Sequence, residues 1–490
     1  MYSRKERKKE LIHRILVYSV MVLSMLTLLA FLSFMVTGYQ FNLKTREIEQ
    51  AGLVQFDSSP RDAKISIDGV EFANTNAKKV ILPGVHRFSI KKAGYSEWTK
   101  DLNIQPGKVT WLNYARLVPK QKKIDGLIKL DSLTSAKFSP FGKYLAGVKS
   151  GKNSSITLVD LSDKKPKTTN QPISYKWLRS HSKGQKLTKT YKWSVYSWDK
   201  DANHFLVRCS YVINKSKRTD WLVFDKNDLE KPVNISRLFH INIKQARMIG
   251  DSGNKLYVLR TNGDVNKLSI SDKTMSSPIL SGVAKFNMYG DRNISYRGSQ
   301  DGKTVAGIWR DGWSKPAVLY SESDGGKVKV DVRISRYFHK DTVILSVGDL
   351  VKIWRGSLSS DSLSEGMVEY RQSLSLGRPI SKISISGNGR FILARDDRGF
   401  VTYDLERHTA SKEVNIAGFK AIGWLDDYHL WQITDDNWLK MQEFDGANPH
   451  DLMQVSGFDV ALADGGNYIY GLNSQKGVVE LKRLSMRVAN

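Results

Sequence analysis

The sequence predicts an all-β protein behind an N-terminal transmembrane helix: a small β-sandwich followed by a seven- to eight-bladed β-propeller. Three observations carry this. One apolar run, Ile15 to Thr37, is long enough to cross a bilayer. From about residue 52 to 118, short alternating apolar runs are separated by tight turns. From about 124 to 490, one strand-and-turn pattern recurs eight times at intervals of roughly 40–60 residues, the period of propeller blades. Composition agrees. The 490 residues include 12 Trp and 20 Tyr, types in which a disordered chain is poor. Lys and Arg outnumber Asp and Glu by 76 to 49, a formal charge of +27. Such a charge favours acidic partners: phosphate-bearing polymers, anionic lipid headgroups or acidic glycans. The single cysteine, Cys209, rules out an internal disulfide and reads as a small buried hydrophobe in the apolar run HFLVRCSYVI.

The leader, residues 1–14, carries Arg4, Lys5, Arg7, Lys8, Lys9 and Arg14 against Glu6 and Glu10. Basic flanks stay cytoplasmic, so the expected topology is N-terminus inside and body outside. The apolar run of about 22 residues would rise ~33 Å as a helix. The competing reading is a cleaved signal peptide, whose apolar core is only ~7–15 residues and ends in small residues. Val36-Thr37-Gly38 is a poor substitute for that site, so the segment reads as an uncleaved anchor at 15–37. Ser19, Ser24, Thr27 and Ser33 within it lack the Gly-x-x-x-Gly spacing of a dimer seam.

In the next module, Ile65, Ile67 and Val70 alternate with polar residues around Asp68-Gly69, a strong hairpin signal. Pro83-Gly84 and Pro106-Gly107 mark further turns. About six short strands in ~65 residues, with no helical period, make a small sandwich. Its landmarks are Ser58-Ser59-Pro60-Arg61-Asp62-Ala63, Asp68-Gly69, Leu82-Pro83-Gly84, Lys92-Ala93-Gly94-Tyr95 and Trp98. In order and spacing they resemble the PEGA domain of bacterial and archaeal surface proteins. Asp62 replaces the motif glycine, and Asn74-Thr75-Asn76 replaces the usual Gly-x-Thr-Pro. The resemblance implies an extracellular binding or spacing domain at 52–118 with no catalytic residues. Tyr95 and Trp98 read as core or interface residues rather than a sugar platform.

A basic linker, PKQKK at 119–123, leads into the repeated body at 124–490. Each copy is too small to bury its own faces, whereas blades packed radially bury both. Phe138-Ser139-Pro140-Phe141-Gly142-Lys143-Tyr144 and Ser386-Gly387-Asn388-Gly389-Arg390-Phe391 resemble the Ser-Pro-Asp-Gly-Lys turn of WD40-like and TolB-like blades. The count is eight, or seven if the two ends pair into one blade.

Motifs for chemistry are sparse. Gly250-Asp251-Ser252-Gly253 misses the Gly-x-Ser-x-Gly spacing, and the nine His are scattered. Asp199-Lys200-Asp201-Ala202-Asn203 begins like a calcium loop but has His204 and Ser210 where Gly and Glu are required, so it reads as a hairpin turn. Ser299-Gln300-Asp301-Gly302 reads likewise. The acid pairs Asp396-Asp397, Asp426-Asp427 and Asp435-Asp436 sit at turns that favour Asp for local bonding. No catalytic residue, metal or cofactor is expected.

One stretch stands out. From Lys164 to Trp198 there is no acid but nine bases, interleaved with Trp177, Tyr191, Trp193 and Trp198. It reads as an inserted loop on a propeller face. Lys176, Trp177, Arg179, Lys183, Lys186, Lys189, Lys192 and Trp193 are the candidate binding residues, for an anionic polymer or lipid headgroups. A solvated basic loop is the plainer alternative. The functional expectation is a bacterial single-pass membrane protein whose extracytoplasmic propeller binds an envelope polymer or a protein partner. The anchor argues against nucleic acid. Two rivals stay open: a propeller hydrolase of glycans or peptides with channel residues drawn from separate blades, and the sensory half of a signalling complex. Oligomeric state is not legible.

Overall fold

The computed structural model describes residues 4–488, apart from 37, 43–45, 152, 164, 180–190, 214, 324, 359–365, 417, 458 and 476. The chain divides into two units, Met1–Gln121 with Arg487–Asn490, and Lys122–Met486.

The first unit opens with a helix, Arg4–Val36, which starts inside the basic leader. Its segment Lys8–Phe34 has a mean hydropathy of 2.5 and is not buried, and it is long and apolar enough to cross a membrane. Ser24 Oγ donates to Met21 O and Thr27 Oγ1 to Leu23 O, so these hydroxyls are satisfied within the helix. A two-stranded antiparallel sheet, Tyr39–Asn42 with Glu47–Gln50, follows.

The sandwich has seven strands rather than six. Gly52–Ser59 pairs antiparallel to Ala77–Ile81 and parallel to Val109–Arg116, making one sheet. Val70–Asn74, Lys64–Ile67, Gly84–Lys91 and Trp98–Ile104 make the other. Val54, Phe56, Ile65, Phe88, Ile90, Trp98 and Leu112 fill the core. Trp98 meets Tyr114 edge-on at 6.2 Å, and the buried Tyr95 accepts at its hydroxyl from the Val488 amide at 2.9 Å. Both aromatics therefore serve packing. Asp68 and Gly69 take φ of 51° and 85°, the two left-handed positions of the expected hairpin turn.

The two departures from the PEGA pattern compensate for each other. Asp62 adopts φ 60°, the conformation its motif glycine would favour, and accepts from Asn74 Nδ2 at 2.8 Å. Next to Asn74, the buried Thr75 hydroxyl bonds Ser58 Oγ at 2.8 Å and accepts from the Ala63 amide at 3.0 Å. The start of the expected linker is also tied down: Pro119 bridges to Tyr95 and the Lys120 amide donates to Gly94 O.

The second unit is a β-propeller of eight sheets. Blades one to seven are four-strand meanders, beginning at Ser135, Lys192, Ile243, Val283, Val330, Lys382 and Phe419, the sixth with a short extra strand, Val414–Asn415, on Gly399–Asp404. In the eighth, Val460–Ala463, Tyr468–Gln475 and Val478–Ser485 are joined by Ile124–Asp131 from the start of the unit. The two ends do pair into one blade, and the count remains eight. Leu133, Ala136 and Phe138 of the first blade pack with Ala461, Leu472 and Leu481 of the eighth, closing the circle. Middle strands such as Phe391–Arg395 and Gly399–Asp404 are buried on both faces because a blade lies on each side.

The first hairpin of several blades repeats one device. Ser139 Oγ accepts the Tyr144 amide and Ser386 Oγ the Phe391 amide, each five residues on. Asp199 does the same for His204 at 3.0 Å, so the calcium-like segment is a blade turn. Among the described residues no cluster of metal-ligating side chains occurs. Asp301 and Gly302 form a two-residue hairpin between Gln300 and Lys303, both with positive φ. Gly389 is required at its turn, since a Cβ there would lie 2.3 Å from Arg336 O of the neighbouring blade.

Thr75→Val should cost about 1–3 kcal/mol by leaving the buried Ala63 amide unpaired. Hydrogen–deuterium exchange at the Ala63 amide should speed up while propeller amides keep their protection.

Candidate functional site

The expected binding stretch begins with the strand Lys167–Pro172, continues through a turn of 3₁₀ helix at Tyr175–Trp177, and ends in the strand Lys192–Trp198. Lys183, Lys186 and Lys189 lie outside the described residues. Lys176 and Lys192 are exposed. The aromatics and the arginine face inward. Trp193 is only 2% exposed and sits in the core of the second blade, so it has no face to offer a sugar ring. Trp177 packs edge-on to Phe224 at 5.7 Å. Tyr191 lies between Tyr175 and Tyr211, at 4.8 and 5.7 Å, and burial pushes its hydroxyl up to about 12. Cys209 belongs to the same core, and burial raises its thiol, leaving it unreactive.

Arg179 anchors the segment to the blade. Its Nε donates to Asp220 Oδ1 at 3.0 Å and its own amide to Asp220 Oδ2 at 2.8 Å. Nη1 donates to Ile241 O and Nη2 to Asn242 Oδ1. Asp220 is fully buried and also accepts from Asn234 Nδ2. This is a buried pair whose remaining lone pairs and protons are satisfied, the condition under which such a pair is tolerated.

Beside this anchor is a basic cleft of about 480 Å³ between the second and third blades. Arg208, Lys217, Arg218 and Lys244 line it with Ser210, Thr219 and Thr261, and no carboxylate is among the lining residues. The second blade supplies most of it because its hairpin, His204–Ile213 with Ser216–Asp225, has two strands of 10 residues each. Leu206, Trp221 and Val223 pack against Ile243 of the third blade. Further along the hairpin the surface turns polar, where Ser210 opposes Thr219 and Val212 opposes Lys217. The expected stretch borders this cleft at both its described ends. Arg179 bonds the lining residue Asn242, and Lys192 pairs in register with the lining residue Ser210.

The structure thus brings Lys192 and Arg179 to the cleft but assigns Trp177, Trp193 and the Arg179 guanidinium to internal packing. The cleft cations were passed over in the sequence, although Lys215-Ser216-Lys217-Arg218 is a visible run. Its position between two apolar strands makes it the tip of a hairpin, where charges are ordinarily solvent-facing. The acid pairs serve turns: Asp426 accepts the Tyr428 and His429 amides, and Asp396 pairs with Arg378. Burial alone would raise Asp396, but Arg378 and the amides of Gly399 and Arg398 outweigh it and hold the carboxyl at about 2.

Residues 51–121 match the family model described as PEGA domain. No match is found among curated proteins. Among solved structures, the chain is similar to the C-terminal WD40 domain of Sif2, with TM-score 0.49 and 14% identity over 75% of this chain and 99% of that one. It is also similar to the Cps50 (Swd1) β-propeller domain of Myceliophteria thermophila, with TM-score 0.40 and 12% identity over 74% and 99%. The propeller assignment rests on the chain's own eight sheets.

Arg179→Gln should lower stability by about 3–5 kcal/mol, the range for stripping one partner from a buried pair. Lys217→Ala should stay within about 0.5 kcal/mol of the parent. Thermal unfolding of the two variants separates the structural cation from the surface one.

Proposed function

We propose that this chain, with a PEGA domain behind an apolar N-terminal helix, is a membrane-anchored binding protein of a bacterial cell surface. In this reading the helix stays uncleaved with the basic leader in the cytoplasm, the sandwich acts as a spacer, and the propeller docks a phosphate-bearing envelope polymer. The single observation that carries it is the cleft lined by Arg208, Lys217, Arg218 and Lys244 with no carboxylate among the lining residues. Hydroxyls between the cations suit an anionic glycan, which needs hydrogen bonds to its oxygens as well as charge. Lys192 borders the cleft and extends its charge.

The protein is read as non-enzymatic. A hydrolase needs carboxyl groups free to exchange protons beside the substrate. At the propeller channel Asp199 is closed into its own turn, Asp291 accepts from the Gly250 amide, and Asp331 pairs with Arg333 at 2.9 Å.

The test is surface plasmon resonance of the full chain in detergent over a purified phosphate-bearing envelope glycan and its dephosphorylated form. Affinity for the phosphorylated form should fall about tenfold or more between about 50 and 500 mM salt, as screening shortens the reach of the cleft charges. The Lys217→Ala/Arg218→Ala double variant should bind about tenfold more weakly at low salt. Binding that is absent, or indifferent to salt and to both substitutions, overturns the reading.

A further inference from the structure

A second basic site lies in the propeller channel, apart from the cleft. A cavity of about 690 Å³ there is bounded by the innermost strands of blades two to six. Arg247, Arg333 and Lys382 line it from three of those strands, and Lys285 lies beside it on a fourth, two residues before the lining Asn287. Two of these are backed by a second cation directly across the hairpin. Lys285 opposes Arg297, and Lys382 opposes Arg395. Like charges in directly opposed positions of an antiparallel pair destabilise it. In the fourth blade a register shift between Val283 and Lys285 interrupts the ladder at this position. Such irregularities re-aim a side chain.

Compensation within the protein is partial, and each carboxylate at the channel is engaged. Asp331 pairs with Arg333, Asp291 accepts the Gly250 amide, and Asp199 accepts the Asn203 and His204 amides and meets His204 Nδ1. Arg333 Nε also donates to Ile383 O. Arg247 lies over the Tyr196 ring at 4.9 Å and Arg395 over the Phe419 ring at 5.3 Å, contacts that leave both charges in place. Lys285 and Lys382 make no ion pair among the described residues. The charges act on one another. Burial lowers the Lys285 ammonium; Asp331 opposes this, while Arg333, Arg297 and Arg247 add to it. Burial lowers Lys382 as well, and Arg395, Arg333 and Lys285 push the same way.

We propose that the channel binds a compact anion carrying two or more phosphate groups, held by Arg247, Lys285, Arg333 and Lys382. The volume suits a small molecule rather than a polymer segment. Cations arriving from four separate blades suit an anion with charge at more than one end. Guanidinium groups donate paired hydrogen bonds to phosphate oxygens, and the ammonium groups supply point charge. The channel is not uniformly polar: Met248, Met288 and Ile334 also line it, so a carbon frame between phosphates finds contact. The proposal is independent of the polymer-docking reading, because none of these residues lines the cleft.

The experiment is calorimetric titration and thermal unfolding of the full chain in detergent with two probes, inorganic tripolyphosphate and fructose 1,6-bisphosphate, at matched ionic strength. At least one probe should bind in the micromolar range and raise Tm. Tighter binding of tripolyphosphate assigns the natural ligand to a short inorganic oligophosphate, and tighter binding of the bisphosphate assigns it to a phosphorylated metabolite. Lys285→Met and Lys382→Met keep the aliphatic stems. Each should weaken binding about tenfold, yet leave the ligand-free Tm equal to or above the parent, since a repelling charge is gone. The Lys217→Ala/Arg218→Ala cleft variant should bind the probes as the parent does. No Tm shift with either probe at millimolar concentration overturns the proposal. So does a shift that both methionine variants retain, or one that the cleft variant loses.

Discussion

The pairing of Ile124–Asp131 with Val478–Ser485 is the contact on which the propeller depends. A four-stranded sheet of this size buries neither face by itself, so each blade needs a neighbour on both sides. In an open row the end blades would expose strands like Tyr144–Lys149, whose middle residues are all buried here. Borrowing the outer strand of the last blade from the start of the unit fixes both ends. The entropy of joining residues so far apart in sequence grows only with the logarithm of separation, whereas the buried area of a closed seam grows with the whole blade face. Closure also has a geometric result. It sets the innermost strands side by side around one axis, which brings together charges that lie on separate blades.

That result explains which features were legible in the sequence. The apolar helix, the hairpin turns of the sandwich and the eight repeats are local patterns, each written within a few tens of residues. The turn chemistry was legible for the same reason: Ser139, Ser386 and Asp199 all bond an amide five residues on. The channel is different. Arg247, Lys285, Arg333 and Lys382 each look like an ordinary solvated base in a basic chain, and only the circle makes them neighbours. Aligning the inner strand of every copy and reading down that column would have been the one available signal.

The aromatic-rich basic stretch shows the opposite case, a strong local pattern with a different cause. Trp193, Tyr191 and Trp177 alternate with lysines because the segment re-enters a blade, where one face of the strand is core and the other is solvent. Arg179 was read as a ligand for an external anion, and its guanidinium is occupied by the buried Asp220. Interleaved aromatic and basic residues describe a carbohydrate platform and a half-buried strand equally well. What separates them is whether the rings face outward, a property of the tertiary fold and not of spacing.

The bond from the Val488 amide to the Tyr95 hydroxyl has a mechanical meaning. Residues 487–490 belong with the sandwich unit, so the chain crosses between the units twice, at 121/122 and at 486/487. The clasp pair begins with Ile124 opposite Leu484, so both of its strands run toward these crossings from the same end. Tension entering through one crossing alone would unzip the clasp pair by pair. Tension shared by both crossings draws the two strands along together, so the bonds between them are not opened one by one and the load passes in shear to the neighbouring strand Tyr468–Gln475. A propeller clasped in this way is spared the sequential opening that a single crossing would impose on its seam.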